Sequence, residues 1–132
     1  MNSIKGKFAL VTGGTQGLGA AIAKNFADSG AEGIVTIGRK EDKGNEVAKK
    51  IQDETGCKVI FVKTDLGEVQ ECRNAVSVAK QEFGRLDVLV NAAGITDRGD
   101  IVNTSEELFD KMIGTNLKGP YFLIQELSLI HI

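Results

Sequence analysis

The 132-residue sequence contains no tryptophan, one proline, one tyrosine, one histidine and two cysteines. Cys57 and Cys72 lack metal-binding spacing, so reduced structural thiols are expected. No apolar run approaches the roughly 20 residues of a membrane span. A net charge of -2, with the cations spread along the chain, gives no basic stripe for nucleic acid and no cationic face for a membrane. The first seven residues are too short and polar for a secretory leader. We therefore expect a cytoplasmic protein without metal, nucleic-acid or membrane partners.

Short apolar runs alternate with segments of helical periodicity, and glycine punctuates the boundaries between them. The pattern predicts four strands, at Phe8–Val11, Ile34–Ile37, Val59–Val62 and Leu86–Val90. It predicts helices at Leu18–Asp28, around Val47–Ile51 and at Val69–Phe83, with Gly30, Gly56 and Gly84 at their ends. This alternation predicts a single domain over residues 1–132, a doubly wound α/β fold with a parallel sheet covered on both faces.

Further helices are predicted after the fourth strand. Thr104 and Glu107 form a capping box that predicts a helix start, and another helical stretch is predicted from Asn116. The inner face of the first of these helices is predicted to consist of Leu108, Met112 and Ile113. Residues 127–132 lose helical amphipathicity and are typical of an apolar strand. We interpret this tail as a candidate for sequence foreign to the rest of the chain.

A glycine-rich segment, Thr12-Gly13-Gly14-Thr15-Gln16-Gly17-Leu18-Gly19, lies between the first predicted strand and the first helix. At such a junction an anionic phosphate meets free backbone N–H groups and the positive end of the helix. The spacing is not the literal Gly-x-Gly-x-x-Gly of dinucleotide-binding proteins. The pattern therefore indicates phosphate binding, with a tight strand-to-helix turn as the alternative.

Four segments in order carry a specific resemblance. Thr12-Gly13-x-x-x-Gly17-x-Gly19 resembles the glycine motif of short-chain dehydrogenases/reductases. Asn91-Ala92-Ala93-Gly94 resembles their Asn-Asn-Ala-Gly motif, from which Ala92 departs. Asp65-Leu66 resembles the adenine-contacting pair of the family, and the segment 115–119 resembles the one that carries the asparagine of its catalytic tetrad. The similarity runs from about Ile4 to Glu126. It implies an NAD(P)-binding Rossmann fold and an oxidoreductase activity.

The resemblance also implies a site. In the strand order of the family, three-two-one-four, the reversal falls between strands one and four, and ligands bind at the carboxyl edge there. The expected cofactor contacts are Gly13, Thr15, Gln16, Gly17, Leu18, Gly19, Arg39, Asp65, Leu66, Asn91, Ala92, Ala93 and Gly94. Taken singly, Asn91 could be a turn-former that ends a strand, and Asp65 a helix N-cap.

Cofactor choice is expected to depend on the segment after the second strand. An acid there would bind the adenosine ribose 2′-hydroxyl, whereas a base would accommodate a 2′-phosphate. Arg39 can pair a phosphate bidentately, so NADP(H) is favoured, while the nearby Glu41 and Asp42 keep NAD(H) possible. Thr15 and Gln16 place no base in the glycine loop. The alternative for Arg39 is a solvated loop charge.

The residues that the family uses for proton transfer have no counterpart here. The resemblance implies a tyrosine, a lysine four residues later and an upstream serine, but the one tyrosine is Tyr121, followed at that spacing by Gln125. Of the tetrad only Asn116 is expected as a catalytic residue. We therefore expect a partial Rossmann sheet without its C-terminal strands. It would be the cofactor-binding half of an NADP(H)-preferring enzyme that interconverts a secondary alcohol and a carbonyl, and it would be inactive on its own. The intact relative, of roughly 250 residues, would be a homo-oligomer. The alternative is a non-catalytic dinucleotide-binding or interaction module.

Overall fold

Four parallel strands form one sheet in the computed structural model, which describes residues 3–132. The strands are β1 (Phe8–Thr12), β2 (Gly33–Gly38), β3 (Lys58–Lys63) and β4 (Val88–Val90), in the order β3-β2-β1-β4. In register, Thr12 of β1 pairs with Ile37 of β2, and Val11 pairs with Val90 of β4. The order confirms the predicted reversal between the first and fourth strands. It brings the carboxyl ends of all four strands to one edge of the sheet.

Helices cover both faces of this sheet. They are α1 (Gly17–Asp28), α2 (Glu41–Thr55), α3 (Val69–Phe83), α4 (Glu106–Ile113) and α5 (Gly119–Ile130). One core cluster places Ala23 of α1 and Ile51 of α2 against Ile34 of the sheet. The other places Val76 of α3 and Leu123 of α5 against Val35. Neighbouring residues of β2 belong to the two different clusters, so both faces of the strand are buried. The predicted doubly wound α/β fold is therefore confirmed.

Strand β4 is shorter than predicted. The expectation was Leu86–Val90, but the strand begins at Val88. The reason lies in the backbone donors before it, because the Leu86 N–H donates to the His131 ring and the Asp87 N–H to the Phe8 carbonyl. Leu86 is buried in the core nonetheless, which is why its sequence context resembled a strand.

The capping residue of α4 also differs from the prediction. Ser105 and not Thr104 occupies the N-cap, and its hydroxyl accepts a hydrogen bond from the Leu108 N–H at 3.1 Å. The Thr104 hydroxyl instead donates to the Asp100 carbonyl at 2.7 Å. The predicted inner face of Leu108, Met112 and Ile113 is not buried: the first two are half-buried and Ile113 is exposed. Helix α4 packs mainly against the turn that follows it.

A π-turn over Gly114–Lys118 joins α4 to α5, so that residues 106–130 are continuously helical. The turn precedes Pro120, which has no N–H and would clash with a carbonyl four residues back in a regular helix. Wider spacing at this point accommodates the proline. The helix continues to Ile130, so the strand expected over residues 127–132 is wrong. Leu127 and Ile130 pack against the core, which gives this segment a helical contact face. Within residues 3–132 no helix has the length and hydropathy required to cross a bilayer.

Candidate functional site

A cavity of about 280 Å³ opens at the carboxyl edge of the sheet, between the ends of β1 and β4. Its walls come from the glycine loop, the end of β2, the loops after β3 and β4, and the π-turn. Every residue predicted to contact the cofactor lines it except Asn91, which is exposed and outside the wall. The sequence reasoning missed further lining residues, namely Ile37, Gly38, Thr64, Ile95 and Thr115. Each lies within two positions of a predicted site residue, so nearness to those residues in the sequence was the available signal.

Glycine occupies positions 17 and 19 of the loop for different physical reasons. Gly17 has φ of +56°, and a Cβ built on it would meet no protein atom within 4 Å, because that side faces open space. At Gly19 a Cβ would lie 2.2 Å from the Gly13 carbonyl oxygen, so this glycine lets α1 start directly against the loop. The loop thus leaves bare backbone facing the cavity at Gly17 while being tightly packed at Gly19.

The N-terminus of α1 is uncapped at this cavity. Its N-cap residue is Gln16, whose side chain makes no capping hydrogen bond, and the first turn holds no acidic residue. The first turn of a helix carries N–H groups without an intrahelical partner, together with the positive end of the helix dipole. Both favour an anionic ligand, and the residues present therefore fit a pyrophosphate group.

Two side chains fix the wall formed by the loop after β4. The buried Thr12 hydroxyl accepts a hydrogen bond from the Ala93 N–H at 2.9 Å. Asn116 of the π-turn binds Ile95 twice: its Oδ1 accepts from the Ile95 N–H and its Nδ2 donates to the Ile95 carbonyl, both at 2.8 Å. The loop is therefore tied to β1 on one side and to the π-turn on the other. Sequence reasoning included Thr12 in the motif without assigning it this role.

Asp65 forms the turn that leads from β3 into α3. Its Oδ1 accepts from the Gly67 N–H at 2.9 Å, and its own N–H donates to Glu71 Oε1 at 3.3 Å. The N-cap of α3 is Glu68, so the alternative interpretation of Asp65 as that N-cap is wrong. Asp65 and Arg39 also line a second cavity of about 520 Å³, which adjoins the first and extends toward α4.

Arg39 is exposed at the junction of the two cavities. None of the ion pairs formed within residues 3–132 involves its guanidinium. Its five N–H donors therefore remain available to an anion in either cavity.

The remaining reactive side chains lie apart from the cavity. Burial raises the pKa of the Cys72 thiol to about 11 and also raises the pKa of Cys57, so both thiols stay protonated at neutral pH. Both are free and buried, as expected for structural cysteines. His131 lies between the Leu86 N–H and the Leu127 carbonyl, which gives it a structural role. No group of three potential metal ligands occurs in the part of the chain that the structure describes.

A family model described as short chain dehydrogenase matches residues 7–130. The chain belongs to the short-chain dehydrogenase family. The 3-oxoacyl-[acyl-carrier-protein] reductase of Chlamydia muridarum is 39% identical over 122 residues, which are 92% of this chain and 49% of the relative. The L-sorbose reductase of Gluconobacter frateurii, solved with NADPH and L-sorbose, superimposes with a TM-score of 0.92 at 30% identity, covering 97% of this chain and 48% of that one. A short chain dehydrogenase of Burkholderia cenocepacia, solved with NADP, gives 0.90 at 33% identity, covering 97% and 52%.

This short-chain dehydrogenase chain spans about half the length of the relatives it matches. Its one tyrosine, Tyr121, is 60% exposed and does not line the cavity. Its ring packs edge-on against Phe122 at a centroid distance of 5.1 Å. The geometry therefore gives Tyr121 a surface position on α5, outside the cavity wall.

Proposed function

We propose that this chain binds a nicotinamide dinucleotide in the cavity between β1 and β4, prefers NADP(H) over NAD(H), and serves an oxidoreductase that interconverts a secondary alcohol and a carbonyl. The observation that carries the proposal is an uncapped helix N-terminus and an unpaired guanidinium in the wall of one cavity. The first suits a pyrophosphate and the second a ribose 2′-phosphate. The solved relatives bound to NADPH and to NADP support the preference.

The roles of individual residues follow from their positions. The backbone at Gly17 and Leu18 would hold the pyrophosphate, and Arg39 would pair the 2′-phosphate. Asp65 and Leu66 would contact the adenine, while Ala92, Ala93 and Gly94 would form the opposite wall. When bound, the dinucleotide supplies or accepts the hydride. Asn116 is proposed as the catalytic-tetrad residue that this chain contributes, and its bonds to Ile95 hold the loop that faces the cofactor.

The second candidate is a non-catalytic dinucleotide-binding or interaction module. It is favoured by the side chain four residues beyond Tyr121, which is the amide Gln125 rather than a lysine that could lower the tyrosine pKa. Under either candidate we propose that residues 1–132 alone bind NADPH without turnover. The two candidates differ for a longer protein that contains this chain, since only the first predicts that it reduces a generic diketone with NADPH.

The assembly of the protein is proposed from its exposed apolar surface. Exposed apolar side chains follow one another along the helical segment 106–130, among them Phe109, Leu117 and Ile124. A second copy of the chain would remove such a surface from water, which supports the proposed homo-oligomer. A cytoplasmic location stays a prediction from the sequence.

The test of cofactor preference is charge reversal at Arg39. We expect Arg39→Asp to lower NADPH affinity at least tenfold relative to NADH affinity, because one charge-assisted contact contributes about 1.5 to 3 kcal/mol. Arg98→Asp, an equal charge change on an exposed loop outside both cavities, should leave the ratio unchanged. Calorimetric titration with both dinucleotides measures this. An unchanged ratio in Arg39→Asp would remove the basis for NADP(H) preference.

A further inference from the structure

A second cation, on helix α2, contacts a residue of the cavity wall. The Lys43 ammonium donates to Gln16 Oε1 at 2.7 Å, across 27 positions of sequence. Gln16 lines the cavity together with Arg39. The sequence pattern does not predict a role for Lys43 at the cavity, because this lysine belongs to the helix that follows β2 and not to the glycine loop.

The bonding of Lys43 differs from that of the other lysines that make side-chain contacts. Lys24, Lys49 and Lys58 each place their ammonium against a carboxylate, at 2.7, 2.8 and 3.1 Å. Lys43 has a neutral amide as its partner, and no carboxylate within 4 Å is among its contacts in the part of the chain described, residues 3–132. Its positive charge is therefore fixed in position without being neutralised.

The location of Lys43 in α2 also argues against a role in helix stability. It is the third residue of the helix, whose N-cap is Lys40 and whose first turn contains Glu41 and Asp42. A cation at this end opposes the helix dipole, whereas the two acids complement it. A lysine at this position is stabilised by an anion in front of the helix and not by the helix dipole.

On the basis of the proposed function, we infer that Lys43, held by Gln16, is the second cation of a 2′-phosphate subsite whose first cation is Arg39. The two residues stand at the ends of the segment 39–43, and Gln16 joins Lys43 to the glycine loop. A dianionic phosphate monoester next to Arg39 retains oxygens that the guanidinium fork does not use. The ammonium, as a compact donor with three N–H bonds, supplies contacts to those oxygens.

The subsite makes this chain distinguish adenosines that carry a 2′-phosphate from those that do not, without any contribution from the nicotinamide. Adenosine 2′,5′-bisphosphate and adenosine 5′-monophosphate differ only in the 2′-phosphate, so the ratio of their affinities isolates the subsite. We expect Lys43→Gln to lower this ratio about tenfold and Lys43→Arg to restore most of it. Gln16→Leu, which removes the acceptor of the lysine, should lower the ratio by a smaller factor.

Lys50→Gln is the matched control. Lys50 is exposed, makes none of the ion pairs of residues 3–132, and lies on the same helix seven residues on, about 10.5 Å along its axis. At physiological ionic strength that separation exceeds the screening length of about 8 Å, so the ratio should not change. An equal fall in Lys50→Gln would show that the effect of Lys43 is general charge and would overturn the inference.

The outcomes separate the inference from the proposed function. If Arg39→Asp lowers the ratio and Lys43→Gln does not, the inference is wrong and the dinucleotide site stands. If the protein binds neither adenosine bisphosphate nor NADPH, both are wrong. A tenfold fall in Lys43→Gln, recovered in Lys43→Arg, supports the subsite, and circular dichroism of each variant checks that the fold is retained.

Discussion

The conformation and environment of Gly17 allow a substitution there to test ligand binding separately from folding. Its φ is positive and the space beside it is open toward the cavity. Gly56 at the end of α2 has the same features, with φ of +76° and no atom within 4 Å of a Cβ, but it lies outside the cavity. The two positions therefore carry the same backbone strain on substitution and differ in their distance from the proposed ligand.

We predict that Gly17→Ala and Gly56→Ala each lose about 1 kcal/mol of stability, because each places a side chain in the left-handed region. Only Gly17→Ala should weaken NADPH binding, by more than tenfold, since its methyl group enters the space of the pyrophosphate. Urea unfolding and calorimetric titration measure the two effects. Unchanged NADPH affinity in a folded Gly17→Ala variant would contradict the assignment of the glycine loop.

Asp87 joins the beginnings of β4 and β1. Its Oδ2 accepts from the Phe8 N–H at 2.8 Å and from Arg85 Nε at 3.2 Å, while its own N–H donates to the Phe8 carbonyl. Partial burial disfavours the charged carboxylate, but the Phe8 hydrogen bond and the Arg85 charge outweigh it and lower the pKa of Asp87 below its ordinary value.

A lowered carboxyl pKa contributes stability above the ordinary value of about 3.9, and that contribution is lost as the pH falls through the lower value of the folded state. We predict that Asp87→Asn is less stable than the parent protein at pH 7 and that the difference shrinks toward pH 3. Denaturation followed by circular dichroism at both pH values measures it. Asp53→Asn, on the exposed side of α2, is the control. A stability difference that is the same at both pH values would show that the charge of Asp87 contributes nothing.

In helix α4, local hydrogen bonding determines which residue is the N-cap, which the helical periodicity of the sequence does not specify. Both Thr104 and Ser105 are acceptable N-caps, and the sequence alone favoured the threonine because of Glu107. In the structure the turn around Asp100 takes up the threonine hydroxyl, which leaves the serine to cap the helix. The boundary depends on the preceding loop, whose conformation the sequence pattern does not specify.

We predict that Ser105→Ala destabilises α4 by about 1 kcal/mol, which corresponds to roughly fivefold faster amide exchange in its first turns. Thr104→Ala should leave the exchange of the Leu108 amide unchanged, since that amide donates to Ser105. Hydrogen exchange of the two variants gives the comparison. Faster Leu108 exchange in Thr104→Ala alone would restore the original capping assignment.

The buried strands and their covering helices could be predicted from the sequence because apolar runs bounded by glycines leave few alternatives. Val69–Phe83 matches its helix at both ends, where Gly84 takes a positive φ. The tail could not be predicted: Leu127 and Ile130 contact the core from α5, which packs against α3. These contacts depend on how two helices pack together, which the local pattern of side chains does not specify.

At the scale of the molecule, strand order explains why separate motifs form one site. The glycine loop follows β1, and the segment at Ala92–Gly94 follows β4, which pairs with β1. The sequence could therefore place most of the cavity wall, but not Ile37, Gly38, Thr64, Ile95 and Thr115. It could not find Lys43, because the contact to Gln16 depends on how α2 packs beside the loop. Asn91 was included by its motif, but it is exposed and does not line the cavity.

The cavity between β1 and β4 is proposed to hold a dinucleotide, and a crystal structure of the protein grown with NADP⁺ would test this proposal. We expect pyrophosphate oxygens within hydrogen-bond distance of the backbone N–H groups at the start of α1, and the 2′-phosphate against Arg39. Density for the dinucleotide at another surface, or a cavity that stays empty at saturating NADP⁺, would contradict it.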